Sequence, residues 1–187
     1  MQDDIKKACE IMRKGGVILY PTDTIWGIGC DATNEEAVKK VYRIKQRNDS
    51  KSMLVLLDTP DKLEIYVEEV PEIAWDLIEL SEKPLTIIYD GAKNLAPNLI
   101  AKDGSIGIRI TAEVFSKELC KQFGKPIVST SANISGKPSP ASFKDINEEI
   151  KKRVDYIVTF RQNENVKAAS SSIIKLGKNG TIQIIRQ

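Results

Sequence analysis

The chain is 187 residues long, so at about 100–200 residues per domain it is expected to form a single domain, spanning 1–187. A chain of this size can bury roughly 70% of the surface that its unfolded form exposes. Its 28 Lys+Arg against 26 Asp+Glu leave a net charge of +2, and 41% hydrophobic with 29% charged residues is an ordinary globular balance, which excludes disorder as the main state. It has no histidine, which removes the Ser-His-Asp triad, the Cys-His pair and every imidazole metal ligand. Cys9, Cys30 and Cys120 are odd in number, far apart and without a C-x-x-C pair, so neither a zinc site nor a disulfide framework is expected. The N-terminus lacks a secretory pattern and the longest apolar run, Met53–Leu57, is far short of a membrane span, so a reduced cytoplasmic setting with no membrane partner is expected.

In chain order, residues 3–14 suit a helix ended by Gly15-Gly16, and the apolar run Val17–Tyr20 suits a buried strand stopped by Pro21. Thr33-Asn34-Glu35-Glu36 has capping-box spacing, and Ala37, Val38, Val41, Tyr42 and Ile44 recur at helical intervals, which predicts a helix over 34–44. Met53–Leu57 reads as a strand, a helix follows Pro71, and residues 84–89 return to strand character. Residues 105–110 suit another strand, and 113–123 a helix closed by Gly124. The strand Ile127-Val128 leads into the polar cluster Ser129–Asn133. One helix is predicted over 143–153, capped by Ser142, then a strand over 156–160. Asn179-Gly180, between Ser172–Ile174 and Ile182–Ile185, predicts a terminal hairpin with a type I′ turn. Helices interleaved with strands argue for an α/β layer fold, and the hairpin makes its sheet mixed.

The strongest charge asymmetry runs from Lys39 to Lys51, where six basic residues (Lys39, Lys40, Arg43, Lys45, Arg47 and Lys51) face one acid, Asp49, for a local charge of +5. Lys39, Lys40 and Arg43 suit a solvated helix face. Lys45 and Arg47 would point apart on a helix but to one side of an extended chain, so with Lys51 they could converge on a polyanion such as a phosphate chain. Ser129, Ser131 and Asn133 lie on one side at a strand exit, where open α/β sheets bind ligands, although the composition also suits an ordinary polar turn. Pro21-Thr22-Asp23-Thr24 presents hydroxyls and a carboxylate at another strand exit, again compatible with a capped turn. Gly27-Ile28-Gly29 lacks the third glycine and the strand context of a dinucleotide fingerprint, and no G-x-x-x-x-G-K-[ST] occurs. Scattered acids such as Asp23, Asp49 and Asp103 form no metal-ligand pattern, so no protein metal site is expected and any Mg²⁺ would arrive with a nucleotide. Trp26 and Trp75 read as packing residues.

Four motifs resemble, in order, those of the YrdC/Sua5 family. Gly16–Gly27 is similar to its opening signature, Lys45-Gln46-Arg47 to its K-x-R, Ile106-Gly107-Ile108-Arg109 to its V-G-V-R strand, and Ser129–Gly136 to its S-T-S-A-N-x-S-G loop. The similarity extends from about Gly15 to Arg186. The resemblance implies a twisted open mixed α/β sheet with flanking helices and a concave basic face. It also implies an L-threonylcarbamoyladenylate synthase, a nucleotidyltransferase joining L-threonine, bicarbonate or CO₂, and Mg²⁺-ATP for tRNA t⁶A modification. By the same resemblance, Arg47, Lys51, Ser105, Ser131, Asn133, Ser139 and Arg186 contact ATP, and Thr24, Arg109, Ser129 and Ser171 form the threonine pocket. Lys45, Arg47 and Lys51 are the catalytic candidates. The chain departs from the family at Ser81–Thr86 and at Ile110-Thr111-Ala112, both near the threonine side, and at Ser170-Ser171-Ser172-Ile173. A histidine that some relatives place by the threonine pocket corresponds to Leu56.

The implied chemistry needs no imidazole, because threonine's amine captures CO₂ as a carbamate and that anion attacks the α-phosphorus of ATP. Cations that align two anions and screen the leaving pyrophosphate suffice. An RNA-binding module holding tRNA or double-stranded RNA through the basic segment is the alternative from another class, against which the small net charge argues. A YciO-like protein without this activity is a third, against which the retained K-x-R and S-A-N residues argue. The partners implied by the synthase reading are the t⁶A transferase proteins that accept the adenylate.

Overall fold

The computed structural model describes residues 1–47, 53–164, 170–177 and 179–187. Helix α1 (Gln2–Arg13) opens with Asp3 and Asp4 in its first turn, which suits the positive end of its dipole, and buries Ile5, Ala8, Cys9 and Met12 on one stripe. It leads into β1 (Ile18–Tyr20) and, after a turn through Pro21, β2 (Gly27–Gly29). Helix α2 (Glu35–Lys45) is capped by Asn34, whose side chain accepts from Ala37 N–H. Then come β3 (Leu54–Leu57), the one-turn α3 (Leu63–Tyr66), α4 (Ile73–Leu80), β4 (Leu85–Tyr89) and β5 (Ile106–Ile110). Helix α5 (Val114–Phe123), β6 (Ile127–Ser131), α6 (Glu148–Arg153), β7 (Tyr156–Ile157), β8 (Ser172–Leu176) and β9 (Ile182–Arg186) complete the chain.

Among the described residues, nine strands form one mixed sheet in the order β7-β1-β2-β6-β3-β5-β4-β8-β9, with parallel pairs β1/β7, β3/β5 and β4/β8 among antiparallel ones. This is the mixed α/β architecture expected. Side-chain alternation divides the central strands. Val55, Leu57, Ile87, Tyr89, Ile106 and Ile108 enter the hydrophobic core, whereas Leu54, Thr86, Ile88, Gly107 and Arg109 line a cavity. Helix α5 packs against β3, and α1 packs against α5.

Four local expectations are corrected. The polar cluster after Val128 is not all loop, since β6 continues through Ser131 and pairs with β3 at Ser129 and with β2 at Thr130 and Ser131. A central strand tolerates these hydroxyls because they face the cavity. The helix expected over 143–153 is two pieces. Ser142 and Asp145 form a capping box on a 3₁₀ turn (Phe143–Asp145), Ile146 is extended, and Asn147 caps α6 separately. The strand expected over 156–160 ends at Ile157, because the Asp4 carboxylate takes up the N–H groups of Thr159 and Phe160. The terminal hairpin forms, but its loop is longer than the two residues of a type I′ turn. Gly177 N–H donates to Thr181 O, Gly180 N–H donates to Gly177 O, and Gly180 takes φ +76°.

Candidate functional site

One cavity of about 300 Å³ is lined by residues of β6, β3, β5, β4, β8 and β9, a volume at the lower end of small-molecule sites. Thr24, Arg47, Ser105, Arg109, Ser129, Ser131, Ser139, Ser171 and Arg186, nine of the expected residues, all line it. Lys51 lies outside the described residues.

Strand register gives the cavity two ends. Ser105 precedes β5 and Arg109 is its fourth residue, so the two are about 13 Å apart along the strand. Thr86 is next to Arg109, because Ile88 pairs with Gly107 and Ile87 with Ile108, and Ile173, paired with both Thr86 and Arg186, continues that level across β8 to β9. Ser129 pairs with Leu54 near the middle, and antiparallel β6 carries Ser131 toward the Ser105 end.

At the Arg109 end the groups are buried and charged. Arg109 is 3% exposed, its Nη2 lies 3.0 Å from Asp23 Oδ1, and Nη2 donates to Thr24 Oγ1 at 3.3 Å. The approach to Asp23 is misaligned for a hydrogen bond. Among the described residues, neither Asp23 Oδ1 nor Arg109 Nε has a hydrogen-bond partner, although both are buried. Burial pushes the Asp23 carboxyl above its ordinary pKa against the pull of Arg109, and burial likewise pushes the guanidinium down. Thr24 is held by Thr22, whose Oγ1 accepts from Thr24 N–H at 3.1 Å and donates to Ile25 O at 2.8 Å. Thr86 and Ser171 share a hydrogen bond of 2.9 Å, and Arg186 donates through Nε and Nη2 to the carbonyl of Ser171 at 3.0 and 2.8 Å. Arg186, expected to contact ATP, lines the cavity and braces Ser171.

Toward the Ser131 end the Lys45 ammonium bonds the Ser131 carbonyl, and Arg47, two residues on from Lys45, lines the cavity. The convergence of Lys45 and Arg47 from an extended chain is not what forms. Lys45 is the last residue of α2, and Gln46 turns the chain through a left-handed conformation at φ 50°. Lys45 is 2% exposed and is absent from the cavity lining. Its ammonium donates to the carbonyls of Ser131 and, at 2.9 Å, Asn133, and to Asn133 Oδ1 at 3.3 Å. Burial, with Arg47 nearby, lowers its pKa to about 7. Lys45 thus ties the end of α2 to the loop after β6 rather than reaching into the cavity. Asn133 stands beside the lining residue Ser131. Its amide bonds Ser131 Oγ and the carbonyls of Ile134 and Lys137, and it borders a second hollow with Gln46 and Glu149. Ser105 Oγ donates to Asp103 Oδ1 at 2.6 Å, and Lys175 holds Asp103 in turn.

Asp23 and Thr86 were not among the expected site residues. Thr86 carried a signal, a hydroxyl within the apolar run Leu85–Tyr89. Asp23 was visible only as an acid at a strand exit, because its partner Arg109 is 86 residues away. The described lining contains hydroxyls, guanidinium groups and apolar carbons but no carboxylate, and no cluster of three or more acids, histidines or cysteines suited to a metal occurs among the described residues.

Residues 10–187 match the Sua5/YciO/YrdC family model, described as "Telomere recombination". The chain is 33% identical to the threonylcarbamoyl-AMP synthase of Pseudoalteromonas translucida (strain TAC 125), over 97% of each chain. It is similar to P. abyssi Sua5 complexed with L-threonine (TM-score 0.82, 26% identity), covering 92% of this chain but 50% of that one, so it spans about half the length of that relative. It is also similar to E. coli YciO (TM-score 0.86, 27% identity), over 100% of this chain and 90% of that one.

Proposed function

The chain belongs to the Sua5/YciO/YrdC family, and from that premise we propose that it is an L-threonylcarbamoyladenylate synthase, which condenses L-threonine, bicarbonate or CO₂, and ATP into threonylcarbamoyl-AMP and pyrophosphate. It is an enzyme of the nucleotidyltransferase type, and its product serves tRNA t⁶A modification through partner transferases. The observation that carries this reading is the two-ended cavity. A guanidinium and two threonine hydroxyls, Arg109, Thr24 and Thr86, stand at one end, and Arg47 with Ser105 and Ser131 toward the other.

Arg109 Nε, a buried donor without an acceptor, suits the amino acid's carboxylate. The threonine nitrogen forms a bond to the carbon of CO₂ and loses a proton, giving a carbamate. A carbamate oxygen then attacks the α-phosphorus, and the bond from that phosphorus to the bridging oxygen breaks, its electron pair leaving with pyrophosphate. Arg47 and the hydroxyls of Ser131 and Ser139 position the triphosphate and offset the charge that develops as pyrophosphate departs. Mg²⁺ enters as part of the nucleotide substrate, since the described lining offers no carboxylate to hold a resident ion. Lys45 acts indirectly, by fixing Ser131 and the loop that carries Ser139.

The test is incubation with Mg²⁺-ATP, L-threonine and labelled bicarbonate. The expected result is a labelled adenylate and threonine-dependent pyrophosphate, with serine and valine much poorer substrates. Arg47→Ala should lower kcat/KM for ATP about 100-fold or more, the scale seen when a charge-stabilising donor is removed. No adenylate from the wild type, or an unimpaired Arg47→Ala, would refute the assignment.

A further inference from the structure

The proposed reaction brings an amino acid carboxylate and a triphosphate to one cavity, and guanidinium groups stand toward both of its ends. A triphosphate is the stronger ligand for any of them, because it carries more negative charge than a carboxylate and each phosphate offers several oxygens to the planar guanidinium fork. A cavity lined by Arg47, Arg109 and Arg186 would therefore take phosphate groups along its whole length unless something marked one end as different.

Asp23 is that difference. Its side chain is 9% exposed and its Oδ1 lies 3.0 Å from Arg109 Nη2, so the guanidinium at that end already faces a carboxylate. The contact is an ion pair without hydrogen-bond geometry, which leaves one buried acceptor, Asp23 Oδ1, and one buried donor, Arg109 Nε, unsatisfied at the same end. A phosphate group on Arg109 would bring at least one further negative charge within a few ångströms of Asp23. An amino acid brings a single carboxylate together with an ammonium of opposite sign, so the field of Asp23 opposes the first and favours the second.

We propose that Asp23 is a specificity-determining residue acting through Arg109: its carboxylate makes the Arg109 end select a zwitterionic amino acid and reject phosphate, confining the triphosphate to the Arg47 end. The proposal rests on the function argued above, but its test is an equilibrium measurement that does not require turnover.

L-threonine binding to the full chain is measured by calorimetry in a phosphate-free buffer and repeated with inorganic phosphate as competitor, for the wild type, Asp23→Asn and Asp23→Glu. In the wild type, phosphate should leave the threonine Kd unchanged. In Asp23→Asn the threonine Kd should rise at least tenfold and phosphate should become a competitor, and Asp23→Glu should restore exclusion of phosphate at least in part. A merely structural role would weaken threonine binding without admitting phosphate. Competition by phosphate in the wild type, or unchanged exclusion in a folded Asp23→Asn, would overturn the proposal. If Asp23→Asn melts below the assay temperature, both proteins are compared at a temperature below its midpoint. Threonine binding with no adenylate formed would refute the function and leave the sorting standing, whereas adenylate formation with phosphate competing for the threonine site would do the reverse.

Discussion

A lysine ammonium shut away from water is tolerated only when its protons are taken up, and the acceptors around Lys45 are backbone carbonyls and an amide rather than a carboxylate. The charged form is therefore disfavoured, and the pKa falls to about 7 from the usual 10.5. Because the folded value lies below the unfolded one, the unfolded chain holds more protons between the two values, and stability rises with pH across that window. Between pH 7 and pH 8.5 the unliganded protein should gain on the order of 1–2 kcal/mol in urea unfolding, a gain absent in Lys45→Met. A flat profile in the wild type would show that Lys45 stays fully charged. The importance of Lys45 was legible in the sequence but its position was not. The K-x-R spacing identified the pair, whereas the left-handed Gln46 between them has no glycine to announce it. Arg109 and Thr24 were legible through their motifs, but the Asp23–Arg109 pair depends on strand order, which periodicity does not encode.

At the scale of elements, β2 and β6 are pressed together where the cavity needs Ser129 and Ser131 held level with β3. Gly29 is the point of closest approach, since a Cβ there would lie 2.7 Å from Val128 O and 2.6 Å from Tyr20 Cε1. The carbonyl belongs to a strand paired on both sides and has little room to move. Gly29→Ala should cost about 1–3 kcal/mol, read as a lower urea midpoint, and should weaken substrate binding through displaced β6 hydroxyls. An unchanged midpoint would mean that the strands separate freely. Most elements were legible because their signals are local: the glycine stop after α1, the cap of α2 and the short apolar run of β1. The misplaced ones were overridden at a distance. The strand after Tyr156 is cut short by Asp4, and the helix expected over 143–153 is divided at Ile146, which is extended and buried in the core.

For the whole molecule, the order β7-β1-β2-β6 brings the last third of the chain back beside the first helix, and one carboxylate fastens the closure. Asp4, in the first turn of α1, accepts from Tyr156 Oη at 2.7 Å, Thr159 N at 2.9 Å, Thr159 Oγ1 at 2.8 Å and Phe160 N at 3.1 Å. Burial alone would raise its pKa. The bonds from Thr159, Tyr156 and Phe160 outweigh that and hold it below the usual 3.8. The sign is the reverse of that for Lys45. A depressed carboxyl contributes stability that is complete above its unfolded pKa and is lost as pH falls through the folded one. Asp4→Asn places an amide NH₂ group among four donors that a carboxylate satisfied, so it should cost about 1–3 kcal/mol at neutral pH. The difference between the two proteins should then shrink as the pH is lowered below 3.8. Urea unfolding of both at pH 7 and at pH 3 measures this, and a gap of equal size at the two values would mean that Asp4 fastens the closure by shape rather than by charge.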